Sequence, residues 1–80
     1  MNLANFPKTY DLYIVRCGYT DGVATPIKSV THSVDVALAA AKDHLDESYD
    51  TIAIVEGYAR SGSSYEKLES MSFFGCLSDH

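Results

Sequence analysis

Ser33-Val34-Asp35-Val36-Ala37-Leu38-Ala39-Ala40-Ala41-Lys42-Asp43-His44-Leu45-Asp46-Glu47-Ser48-Tyr49-Asp50 is the stretch whose reading decides the fold. Val34, Ala37, Leu38, Ala41 and Leu45 recur at the three-and-four spacing of an α-helix and form one apolar stripe. Ser33 is placed to accept a hydrogen bond from the first free backbone N–H groups, so it is the expected N-cap. Asp35 complements the positive end of the helix dipole. The alanines in the stripe allow the helix to lie close against a sheet. The outward arc carries Asp35, Lys42, Asp43, Asp46 and Glu47. Asp46 and Glu47 fall at the negative end of the dipole, where each costs a few tenths of a kcal/mol, up to ~1. A sequence shaped only for helix stability would place Lys or Arg there.

The segments on either side of this helix alternate as strands do. In Thr9–Tyr19, Tyr10, Leu12 and Ile14 share one face and Tyr13, Val15 and Cys17 the other. Both faces are apolar, which predicts a central strand. Thr20-Asp21-Gly22 is expected to supply the positive φ of a tight hairpin. Val23–Val30 is then the returning strand, at an edge or a bulge, because Pro26 cannot donate to a ladder. After the helix, Asp50–Ala59 is a third strand, with Ile52 and Ile54 on one face and Ala53 and Val55 on the other. Arg60-Ser61-Gly62-Ser63 is a turn. Residues 64–74 fit a strand, with Tyr65, Lys67, Glu69, Met71 and Phe73 on one face. They also fit a helix with Ser63 and Glu66 as a capping box. The short turn before them favours the strand and a hairpin.

The predicted order is β-β-α-β-β. It makes one small α+β domain over residues 1–80, with an antiparallel four-stranded sheet ordered 2-1-3-4 and one helix on one face. One helix leaves one sheet face bare. The residues expected there are Tyr13, Val15, Ala53 and Val55. They could be covered by the chain end through Phe74 and Leu77, by a second copy, or by a target protein. Residues 1–8 read as a lead-in, with Pro7 marking the entry to structure.

Eighty residues with six basic and eleven acidic side chains carry a formal charge of −5. That balance opposes direct contact with a phosphate backbone or an anionic membrane and suits a partner with a basic surface. No apolar run approaches the ~20 residues of a membrane span, and the N-terminal residues lack the basic-then-apolar pattern of a signal peptide. A cytoplasmic location is the expectation. Cys17 and Cys76 are too few and too far apart for a disulfide framework or a zinc pair. Both are expected to be reduced, with Cys17 in the core.

Tests for chemistry find no motif. His32, His44 and His80 have no local nucleophile partner, and His44 is expected on the half-exposed flank of the helix. Asp43, Asp46, Glu47 and Asp50 match neither a calcium loop nor a zinc site, so no metal or cofactor is expected and the chain is not expected to be an enzyme. Six tyrosines lack the surrounding bases of a single-strand-binding sheet; Tyr19, Tyr49, Tyr58 and Tyr65 are instead suited to protein contacts. The expected protein-binding residues are Asp43, Asp46, Glu47 and Asp50, with Tyr49 beside them as an apolar anchor.

The Val34–Leu45 helix, the Asp21-Gly22 hairpin before it and the apolar segment Ile52-Ala53-Ile54-Val55 after it make an acidic, tyrosine-bearing β-β-α-β-β chain. In size and architecture it resembles the small phage-encoded anti-CRISPR inhibitors. The resemblance implies a stoichiometric inhibitor that binds a Cas protein or surveillance complex and blocks its recognition of DNA. The partner would then be a basic, nucleic-acid-binding protein in a bacterial host. The competing expectation is a structural or regulatory module that homodimerises through the open sheet face.

Overall fold

A computed structural model describes residues 6, 9–22 and 24–75. The chain runs β1 (Leu12–Tyr19), β2 (Ile27–Thr31), α1 (Val34–Leu45), β3 (Thr51–Ser61) and β4 (Ser64–Phe74). The strands form one antiparallel sheet in the order β2-β1-β3-β4, and the helix packs across β3, β1 and β2. This is the α+β architecture and strand order that the periodicity predicts. Residues 64–74 are a strand.

The helix begins where its cap chemistry starts it. Ser33 is extended at φ −104°, and its Oγ accepts the Val36 backbone N–H at 3.3 Å. Ala37, Ala41 and Leu45 are completely buried, and Val34 and Leu38 flank them. His44 also faces inward, contrary to expectation. Its Nε2 lies 2.8 Å from the Gly18 carbonyl oxygen and its ring packs edge-on to Tyr19 at 5.6 Å. A histidine on the flank of an alanine-rich helix sits near enough to the sheet to find a backbone partner, and that bond makes its burial tolerable.

The helix covers the opposite face from the one expected to need cover. Tyr13, Val15, Cys17, Ala53, Val55 and Phe73 are the floor beneath α1. The other face, bare among the described residues, carries Leu12, Ile14, Ile27, Val30, Ile52, Ile54 and Phe74. Both faces of β1 and β3 are apolar, so alternation alone could not say which one the helix would take. The faces differ in charge: the Leu12 face carries the Arg16–Glu56 pair at 3.2 Å, and the Tyr13 face carries no charged residue of β1 or β3.

Three local features go beyond the sequence reading or depart from it. Phe6 is buried, packing on Tyr10 and Tyr13 with ring centroids 6.2 and 5.8 Å away, so the lead-in contributes to the core. Gly62 is the one glycine with positive φ among the described residues, which places the tight hairpin between β3 and β4 and not at Asp21-Gly22. The β1–β2 connection is longer, and Pro26 contributes its carbonyl to the Cys17 N–H at 3.0 Å. Finally, β4 bulges opposite Gly57/Tyr58. An extra residue there reverses alternation. Glu69, Met71 and Phe73 therefore face the helix side, whereas Tyr65 and Lys67 lie on the bare face. Gly57 is required beside the bulge, because a Cβ there would overlap ring carbons of Tyr10.

Candidate protein-binding surfaces

Two surfaces are built by this arrangement. The first is the end of the molecule where α1 stops and β3 starts. Asp46 is the helix C-cap, and its N–H returns to the Lys42 carbonyl at 2.9 Å. The chain then turns through Ser48 and Asp50, fixed by Thr51 Oγ1, which donates to the Ser48 carbonyl at 2.9 Å. Asp43, Asp46, Glu47, Tyr49 and Asp50 are each exposed along the end of α1 and this turn. Tyr49 is 70% exposed.

The carboxylates there are not all unopposed. Lys42 Nζ lies 2.7 Å from Asp46 Oδ2, one helical turn away. Lys28, the extra residue at a bulge in β2, reaches Asp43 Oδ2 at 3.3 Å. Ser48 Oγ donates to Asp50 Oδ1, and Glu47 Oε1 is 4.0 Å from His44 Nδ1. The Lys42–Asp46 pair explains how the acid at the helix C-terminus is tolerated: the lysine supplies the positive charge that the dipole lacks. Exposed pairs of this kind are worth only ~0–1 kcal/mol. They can exchange for an incoming base at small cost. Among the described residues no three His, Cys, Asp or Glu side chains gather as a metal site.

The second surface is the bare face of the sheet. Val30 and Ile27 on β2 are 56% and 51% exposed, and Phe74 on β4 is 44% exposed. Between them Ile14, Ile52 and Ile54 are half-buried. At the centre is a polar group that periodicity did not single out. Glu56 is 6% exposed although no helix lies over it. Its Oε1 accepts the Arg16 Nε–H at 3.2 Å and the Tyr58 hydroxyl at 2.9 Å, and Lys67 Nζ lies 3.6 Å from Oε2. Burial alone would push the Glu56 carboxyl upward; the bonds from Tyr58 and Arg16 and the charges of Arg16 and Lys67 outweigh it and hold it below the ordinary value. Burial, then the hydrogen bond to Glu56, pushes the Tyr58 phenol up. The signal that could have found this site is one charge of each sign, Arg16 and Glu56, on the same face of two otherwise apolar strands.

Register also gathers charge. Arg16, Lys67 and Arg60 fall on the bare face, where Glu56 is the only acid among the described strand residues. Glu66 and Glu69 fall on the helix side, where Tyr10 donates to Glu69 Oε1 at 2.6 Å. The Cys17 thiol is buried in the core as expected, and burial is the first cause that pushes it up. Cys76, Leu77 and His80 lie outside the described residues, so the expected cover by Leu77 falls there too. No described helix is long and apolar enough to cross a membrane. Comparison of the chain with protein-family models, with curated proteins and with solved structures finds no match.

Proposed function

We propose that this protein is a protein-binding module of the inhibitor kind, acting by occupying a partner's surface and not by chemistry of its own. The observation that carries the reading is the sheet face that no described element covers, with Ile27, Val30 and Phe74 exposed among the described residues. A domain of this size has little apolar surface to spare from its core, and a contiguous patch left outside marks a contact site.

The acidic end is the second element of the reading. Asp43, Asp46, Glu47 and Asp50 offer oxygens to lysines and arginines, with Tyr49 as the adjacent anchor. Charge of this kind speeds encounter and sets orientation, while the apolar side chain supplies contact area. The fitting target is a basic, nucleic-acid-binding protein, whose bases would otherwise hold phosphates. On the resemblance to small anti-CRISPR inhibitors, that target is a Cas protein or surveillance complex in the bacterial cytoplasm.

The test is a nuclease-treated pull-down from bacterial lysate, with the native chain beside the D43K/D46K/E47K variant, followed by titration of the captured protein. The expected result is a one-to-one complex that weakens with salt and is lost in the variant, while circular dichroism stays native. A variant that binds its target as the native chain does refutes the role of the acidic end.

A further inference from the structure

The bare sheet face has an occupant that its own chemistry selects. We propose that it packs against the same face of a second copy of this chain, making a two-fold dimer of sheets with the helices outermost. This deepens the reading of the face as a binding surface and names the partner.

Area is the first argument. β1, β3 and β4 have 8, 11 and 11 residues. Four strands ~4.8 Å apart, over about eight residues at ~3.3 Å each, give a footprint of roughly 500 Å² per copy. Two such footprints come to about 1,000 Å², the lower bound for a biological interface. Facing sheets pack at a separation of ~10 Å through interdigitated apolar side chains, which is what Ile14, Ile27, Val30, Ile52 and Ile54 offer.

Charge is the second. Glu56 already holds Arg16 and Tyr58 within hydrogen-bond distance. A covering sheet therefore leaves no unpaired carboxylate at the centre. A phosphate-rich ligand would meet that carboxylate directly. Arg60 lies toward the β3–β4 turn and Lys67 beside Glu56, whereas Asp50 precedes Thr51 at the other end of β3. A two-fold axis running across the strands lays the Arg60 end of each copy over the Asp50 end of its partner. The two α1 helices remain outside, so Asp43 and Asp46 are presented twice, and a target with two matching sites would be held with avidity.

The experiment is sedimentation equilibrium of the full chain from 1 μM to 1 mM, with I27D/V30D and V36D beside it. Ile27 and Val30 are more than half exposed, so their loss leaves the monomer fold intact; Val36 is as exposed, at 51%, but sits on the helix. The expected mass is twice the 8.8 kDa of one chain, with self-association weakened roughly a hundredfold in I27D/V30D and unchanged in V36D. Circular dichroism identifies a variant that fails to fold, in which case V30T alone is compared. A native chain that stays monomeric at 1 mM overturns the proposal, as does weakening in V36D alone. The D43K/D46K/E47K variant separates this proposal from the acidic-end reading: it should dimerise normally while losing the basic target.

Discussion

Replacing Glu56 by Gln tests the polar centre of the sheet. Glutamine keeps the shape and one carbonyl oxygen, so Arg16 and Tyr58 retain an acceptor where they now bond at 3.2 and 2.9 Å. What is lost is the negative charge. The new amide N–H₂ group also turns a donor toward Lys67, which stands 3.6 Å from Oε2. Hydrogen bonds to a charged group contribute ~1.5–3 kcal/mol, about twice neutral ones, and Arg16 and Lys67 are partly solvated. The expected loss is therefore about 1.5–2.5 kcal/mol at pH 7. For a domain of this length that is a fall in Tm of roughly 6–20 °C. The pH dependence gives the reasoning a second check. The folded Glu56 carboxyl titrates below its ordinary value of 4.5. Its stabilisation is complete above that value and disappears as pH falls through the lower folded one. Thermal melts of both proteins from pH 7 to pH 2.5 should show a gap that is constant down to about pH 5 and then closes. A gap of equal size at pH 3 and pH 7, or no gap at pH 7, refutes the assignment of a charged, stabilising Glu56.

The other structural claims make simpler predictions. Gly57→Ala should cost about 1–3 kcal/mol in urea unfolding, because its Cβ displaces the Tyr10 ring from the aromatic cluster with Phe6 and Tyr13; a neutral result would mean that the ring has room to move. Ser33→Ala should cost ~1 kcal/mol through loss of the cap bond to Val36. His44→Ala should cost about 1–3 kcal/mol, since the Gly18 carbonyl loses its buried partner. In a Cys76→Ser background, Cys17 should react with a thiol reagent far more slowly in the folded than in the unfolded protein, because it is buried in the core.

The order of elements was legible because each carries a strong period. The helix follows from Val34, Ala37, Leu38, Ala41 and Leu45, and the strand order from two doubly apolar segments that had to be central. Sidedness was not legible. β1 and β3 present apolar residues on both faces, and the faces differ by the Arg16–Glu56 pair, which stands on the side away from the helix. The β4 bulge was equally hidden: it answers to Gly57 and the Tyr10 ring above it, a contact between residues 47 positions apart in the chain. Of the candidate site, the crowding of Asp43, Asp46, Glu47, Tyr49 and Asp50 at one end was local and could be read directly. Their partial neutralisation by Lys28 could not, because that lysine arrives from another strand. Glu56 was passed over because a single acid within Ile54-Val55-Glu56-Gly57 has the pattern of an ordinary solvated position until Arg16, Tyr58 and Lys67 are brought around it.

The account turns on the Leu12–Ile14–Ile54 side of the sheet being the working surface and the Tyr13–Val15–Val55 side being core. Two-dimensional amide NMR of the labelled chain, recorded from 10 μM to 1 mM, tests it most directly. The predicted result is concentration-dependent shifts and slowed solvent exchange centred on Ile14, Ile27, Val30, Ile52 and Ile54, with Val36 and Ala39 on the outer helix unmoved. Spectra that do not change over this range, or changes centred on the helix, would contradict it.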